Sequence, residues 1–186
     1  CSEDGRTVSV TATHSATASA SATCTSGAWT VSLDLTALDQ DTFTVSANLS
    51  DAAGNAATPA TRNFDKDTLP PNAATSLGWS ETTPFNSLHV VSAWTKSNSG
   101  DAAVQKAQYY IDSSCTTADG PNADIGSATA QVYAVQTPGD GTYTYKITTI
   151  DAAGNETVSA CSSAMTIDTT APVAPTNLAY QWGSLS

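Results

Sequence analysis

Basic residues are scarce: six Lys and Arg stand against seventeen Asp and Glu, for a net charge of -11 over 186 residues. Without a basic stripe to neutralise phosphates, the chain is not suited to nucleic acid or to an anionic membrane surface. No apolar run approaches the length that spans a bilayer, so no membrane insertion is expected, and no signal segment is visible. No stretch repeats its apolar residues at helical spacing. Spacing of the CxxC kind is missing, which removes the usual zinc and thiol-redox signatures. The two histidines, His14 and His89, have no acidic or cysteine neighbours in sequence. No glycine-rich phosphate loop and no nucleophile elbow occur. The expectation is a protein that is not an enzyme.

What the chain does have is alternation. Ser, Thr and Ala dominate, and charged residues make up only 12%. That composition alone would suit disorder, but the apolar residues recur with period 2, the mark of strands with one buried face. Thr7–Thr13 places Val8, Val10 and Ala12 on one side, and Ala16–Cys24 alternates weakly. Trp29–Leu35 alternates strongly, with Trp29, Val31, Leu33 and Leu35 opposite Thr30, Ser32 and Asp34. Thr42–Ser50 does the same through Phe43, Val45, Ala47 and Leu49, and Ala56–Phe64 follows. Short strands at turn spacing predict an all-β fold, an antiparallel β-sandwich.

Asp51-Ala52-Ala53-Gly54-Asn55 returns unchanged as Asp151-Ala152-Ala153-Gly154-Asn155, an offset of 100. Each copy ends an alternating run and precedes another, as a hairpin turn does. Gly and Asn tolerate the positive φ such a turn needs, and Asp accepts backbone N–H bonds there. At the same offset Phe43, Val45 and Ala47 become Tyr143, Tyr145 and Ile147. The linker Asp65–Pro71 returns as Ile167–Pro172, and Leu77 and Trp79 return as Leu178 and Tyr180. Three segments follow: a β-sandwich over 1–67 that lacks its first strand, a larger one over 68–170, and over 171–186 the first strand of a further domain.

In the second sandwich the apolar markers are Leu77, Trp79, Leu88, Val90, Val91, Trp94, Ala107, Tyr109 and Ile111. The unbroken run Val132–Val135 reads as a strand between packed layers or at a bend. Ser113–Ser127, with Gly120, Pro121 and Gly126, reads as a loop without counterpart in the first sandwich. Trp29 and Trp94, flanked by alternating apolar positions, read as core.

The spare strand at one end and the missing strand at the other admit two accounts. One is a window cut from a longer tandem array. The other is head-to-tail donation, in which Asn177, Leu178, Tyr180 and Trp182 complete the first domain of a neighbouring chain.

Cys1 and Cys24 fall in the first domain, Cys115 and Cys161 in the second. Domain membership selects Cys1–Cys24 and Cys115–Cys161 from the three possible pairings, and disulfides imply an oxidising compartment. The alternatives are buried free thiols, or a lipidated Cys1 that leaves Cys24 unpaired. Calcium is the candidate cofactor. Asp65, Asp67 and Asp168 lie in the linkers and Asp151 and Asn155 at a hairpin turn, and hard oxygen ligands gathered at a junction would suit Ca²⁺. The competing account is that these side chains only cap turns. The sequons at Asn48 and Asn155 are expected to carry nothing.

The combination Thr-Val-Ser-Val-Thr-Ala-Thr (7–13), Ala-Thr-Cys-Thr-Ser-Gly-Ala-Trp-Thr-Val-Ser-Leu-Asp-Leu (22–35), Asp-Ala-Ala-Gly-Asn and an Asp-Thr-x-x-Pro linker resembles the bacterial Ig-like repeats of large surface proteins and adhesins. The resemblance spans most of 1–72. The second domain resembles fibronectin type III or related Ig-like modules through Leu88–Trp94 and Gly141–Ile147, with Tyr143 or Tyr145 a candidate tyrosine corner. It implies a secreted or cell-surface structural segment, a stalk or filament-like appendage without catalytic residues, and calcium-stiffened linkers. The partners it implies are neighbouring Ig-like domains or identical subunits. The alternative is an adhesin binding module that recognises a host or prey glycan or protein through its loops, with Ser113–Ser127 foremost.

Overall fold

The computed structural model describes residues 1–98, 102–135 and 139–176. The chain divides into two units, Cys1–Leu69 and Pro70–Ser186. Among the described residues it contains strands, turns and extended chain, and no helix.

Unit 1 is one four-stranded antiparallel sheet. Its strands are β1 (Thr7–Thr13), β2 (Thr17–Thr23), β3 (Asp41–Leu49) and β4 (Ala60–Lys66), in the order β2-β1-β3-β4. The period-2 pattern sets the register: Val8, Val10 and Ala12 of β1 pair with Leu49, Ala47 and Val45 of β3, which puts all six side chains on one face. That face holds two small buried clusters, one around Val8, Val10 and Cys24 and one around Ala12, Leu38 and Phe43.

Unit 2 has two sheets. One contains β7 (Ala102–Tyr110), β8 (Ala118–Gly126), β10 (Gly141–Asp151), β11 (Glu156–Val158) and β12 (Met165–Ile167). It repeats the unit 1 order, since β8, β7 and β10 run side by side and both β11 and β12 pair β10. The other sheet is β5 (Thr75–Trp79), β6 (His89–Thr95) and β9 (Ala130–Ala134), in the order β5-β6-β9. Between the sheets lies one continuous core with Val90, Trp94, Tyr109, Tyr143, Tyr145, Ile147, Met165 and Ile167 all buried. An Ig-like β-sandwich is therefore complete in unit 2. Where β11 and β12 leave a gap, Ser159 and Ser162 hydroxyls accept from the Ile147 and Tyr145 N–H groups, each at 3.0 Å, so β10 keeps its backbone bonds satisfied.

Three expectations need correction. Trp29–Leu35 has the strongest alternation in unit 1 and joins no ladder among the described residues. Its side chains alternate in burial as a strand's do, but no strand lies beside it to pair. Trp29 is accordingly not core, at 38% exposed. The Val132–Val135 run is not buried throughout. Tyr133 and Val135 point inward while Val132 is 60% exposed, because successive side chains of β9 face the other sheet and solvent in turn. Ser113–Ser127 is mostly strand: Ala118–Gly126 is β8, the edge of its sheet, with register shifts against β7. Pro121 and Gly126 fit there because edges and bulges tolerate them. It also has a counterpart, β2. Residues 1–6 of unit 1 hold no strand.

Candidate interaction surface

The repeated turn is the same device twice. In the first copy the Asn55 N–H and Nδ2 donate to the Asp51 carboxylate at 2.8 and 2.7 Å. In the second copy both distances, from Asn155 to Asp151, are 2.8 Å. Gly54 and Gly154 sit at φ 91° and 93°, a region that costs other residues energy. The bonds from Asn55 hold the Asp51 carboxyl below its ordinary value. At Asp151 burial works against the charge, and the bonds from Asn155 outweigh it, so that carboxyl is lowered too. These carboxylates are occupied with turn closure.

The remaining cation candidates are dispersed. The Asp65 carboxylate accepts from the Thr42 hydroxyl at 2.6 Å, Asp67 from the Leu69 N–H at 3.2 Å, and Asp168 from the Thr170 N–H at 3.0 Å. Asp65 and Asp67 belong to unit 1, Asp168, Asp151 and Asn155 to unit 2. Within unit 2, Asp151 and Asn155 are hydrogen-bonded to each other. Among the described residues no three His, Cys, Asp or Glu side chains lie close enough together to hold an ion.

Both disulfides form in the expected pairing. Cys1–Cys24 has its Cα atoms 6.1 Å apart and Cys115–Cys161 5.9 Å, each within one unit. Tyr143 is the tyrosine corner: its hydroxyl donates to the Gly139 carbonyl at 2.7 Å. Tyr145 instead sits at the centre of the sandwich. Its ring meets Trp79 edge-on at 5.1 Å and Trp94 at 6.2 Å. Its hydroxyl lies 2.6 Å from the Ala93 oxygen and 2.7 Å from that of Gly78. Tyr109 and Tyr133 stack at 3.9 Å, and Ser92 bonds the Tyr109 hydroxyl at 2.7 Å. Burial raises the Tyr109 and Tyr145 hydroxyls above their ordinary value. This polar network serves the core and offers no open reaction site.

The surface that sequence reasoning missed is on unit 1. A groove of about 330 Å³ runs over the sheet face, lined by Val10, Trp29, Val31, Leu33, Val45 and Phe64. Its walls are apolar throughout, and Phe64 is 42% exposed. Lys66 ties the end of this segment to the sheet by donating from Nζ to the Leu35 carbonyl at 2.9 Å and to that of Leu38 at 2.5 Å. The signal was available: a strongly alternating segment, Trp29–Leu35, in a domain short of strands. The strand-donation residues Asn177, Leu178, Tyr180 and Trp182 lie outside the described residues.

The fold is that of Ig-like β-sandwich domains. Among solved structures, the chain is similar to a Ca²⁺-stabilized adhesin with which an Antarctic bacterium reaches out and binds ice, at 19% identity and TM-score 0.52, covering 89% of this chain and 40% of that one. It is also similar to a 1.5-MDa bacterial ice-binding adhesin in a study of host cell surface retention, at 18% identity and TM-score 0.54, covering 90% of this chain and 54% of that one. The chain thus spans about half or less of the structures it matches, and at these identities the likeness concerns the fold. No protein-family model matches the chain, and no curated protein matches it in sequence. Among the described residues no helix is long and apolar enough to cross a membrane.

Proposed function

We propose that the chain is a non-catalytic extracellular segment of a bacterial surface protein, an extender that spaces or assembles a stalk or filament-like appendage. The observation that carries this reading is repetition. Two units share one order of strands and one turn, each stapled by its own disulfide. Such repetition builds length rather than a pocket. The adhesin-type fold and disulfides suited to an oxidising compartment support it. In this role successive units join head to tail, with Asn177, Leu178, Tyr180 and Trp182 forming part of what a neighbouring unit 1 receives. The partners are then further Ig-like units or identical subunits.

The second reading is a binding module that grips a glycan or protein through Ser113–Ser127. It has less support, because Ala118–Gly126 is an edge strand. Imaging the native assembly by electron microscopy tests the first reading: regularly spaced units in end-to-end contact are expected. Isolated particles that bind cells through the β8 edge would favour the second.

A further inference from the structure

Unit 1 carries the base of a second sheet that no strand among the described residues pairs. Trp29–Leu35 is the counterpart of β9. Both follow the edge strand, β2 or β8, and both precede the strand that enters the repeated turn. At the offset of 100, Leu33 and Leu35 take the places of Tyr133 and Val135. In unit 2, β9 is paired from Ala130 to Ala134 with β6, and β6 is paired with β5. The backbone of Trp29–Asp34 makes no ladder bond among the described residues, which leaves a row of N–H and C=O groups open along one edge.

The side chains stop at the same place. Tyr145 is fully buried, and what buries it comes from the β5–β6 sheet: Trp79 and Trp94 against its ring, the Gly78 and Ala93 oxygens at its hydroxyl. Its counterpart Val45 is only half-buried and lines the groove. Met165, which pairs Tyr143, is 1% exposed, whereas Phe64, which pairs Phe43, is 42% exposed. The open backbone edge and the uncovered apolar floor are independent observations of one vacancy, and unit 2 shows what shape fills it.

We infer that this face of unit 1 receives the opening strand pair of a repeat unit, a two-strand antiparallel segment of the β5–β6 type. Its second strand pairs antiparallel with Trp29–Leu35, and its inward apolar side chains cover Val45 and Phe64. Two strands are needed. A single strand laid along Trp29–Leu35 reproduces β6 alone, and half of the cover over Tyr145 comes from β5. The tail Ala171–Ser186 matches the linker and β5 through Leu178 and Tyr180 and has no match to β6, so it meets half of the requirement. Because the groove walls are uncharged, the occupant is selected by backbone pairing and apolar alternation rather than by charge. This deepens the extender reading, and its test is separate: imaging asks whether units join, the experiment below what covers unit 1.

The 186-residue chain is studied in dilute solution by residue-resolved amide hydrogen exchange, with synthetic peptides of sequence Thr75–Thr95 or Ala171–Ser186 added in turn. The Thr75–Thr95 peptide is expected to slow exchange across Trp29–Asp34 at least roughly tenfold, and Ala171–Ser186 by no more than about twofold. Fusing Thr75–Thr95 ahead of Cys1 through a flexible linker removes any dependence on peptide affinity, and is expected to raise the melting temperature of unit 1. Equal protection by Ala171–Ser186 would overturn the inference, because one strand would suffice. Protection that grows with chain concentration in the absence of peptide would overturn it in favour of a second copy on the face. Slow exchange at every concentration without peptide means the face is already covered, and no effect of peptide or fusion means it takes no strands. Either result overturns it too.

Discussion

At the scale of single residues, tightly defined polar contacts decide stability. The Tyr145 hydroxyl is buried against the Gly78 and Ala93 carbonyls. Tyr145→Phe keeps the ring, removes the one hydroxyl hydrogen these two carbonyls share and takes the acceptor from the Gly78 N–H, which donates to that hydroxyl at 2.9 Å, at a cost of about 1–3 kcal/mol. The expected outcome is a fall in the melting temperature of unit 2, read by calorimetry, with unit 1 unmoved. Thr149 presents the opposite case. It is fully buried, and its hydroxyl has no hydrogen-bond partner among the described residues. Thr149→Val removes an unsatisfied group without changing the shape and is expected to stabilise unit 2 by about 1 kcal/mol; a destabilised variant would show that the hydroxyl has a partner after all. The turn carboxylates add a pH dependence. Hydrogen bonds lower Asp51, Asp140 and Asp151 below the ordinary 3.8, and bonds led by the Thr116 hydroxyl lower Asp112 further. A depressed folded value means the stabilisation is fully present above the unfolded value and is lost as pH falls through the folded one. Melting temperature is therefore expected to be flat from neutrality to about pH 5 and to fall below about pH 4. Loss already complete at pH 5 would show that other groups govern acid unfolding.

At the scale of elements, what the sequence made legible was local. The offset of 100 placed the turns and carried β3 over to β10, and period 2 placed β1 and β3, because a strand buried on one face must alternate whatever its partners are. The disulfide pairing was readable from domain membership, and the Ig-like pattern narrowed the tyrosine corner to Tyr143 or Tyr145. What could not be read was pairing. Trp29–Leu35 alternates as well as β3 does, yet alternation reports a buried face and says nothing about whether a neighbour supplies hydrogen bonds. The same limit hid β8. Gly120, Pro121 and Gly126 are turn residues in isolation and edge-strand residues beside β7, and only the neighbour distinguishes the two. Spacing along the chain likewise does not show that the Asp51 and Asp151 carboxylates accept hydrogen bonds within their own turns. Reduction tests how far each unit leans on its staple. By loop length the Cys1–Cys24 bridge is worth about 3 kcal/mol and the Cys115–Cys161 bridge about 4 kcal/mol. Unit 1 has the thinner core, so reductant is expected to unfold it first despite its smaller bridge. Simultaneous loss of both units, followed by circular dichroism, would argue against that order.

At the scale of the whole molecule, the question is what stiffens an array of such units. One solved adhesin of this fold is described as Ca²⁺-stabilized, and the high acidic excess of this chain is compatible with divalent cations in general. The described carboxylates argue otherwise for this segment. Asp151 is held by Asn155, Asp140 accepts from the Thr169 and Thr170 hydroxyls at 2.5 and 2.6 Å, and Asp65 accepts from Thr42. Each makes its bonds inside its own unit, and an ion would have to displace them before repaying the loss. A bound ion stabilises the folded chain in proportion to the logarithm of its concentration over its dissociation constant, so even modest affinity would be visible in a melt at millimolar calcium. The expected outcome is a melting curve that EDTA and added calcium leave in place to within about one degree. A rise of several degrees with calcium, reversed by EDTA and not matched by equal ionic strength of sodium chloride, would show a specific site. Repeating the titration with Asp168→Asn and Asp67→Asn would then identify which linker supplies it.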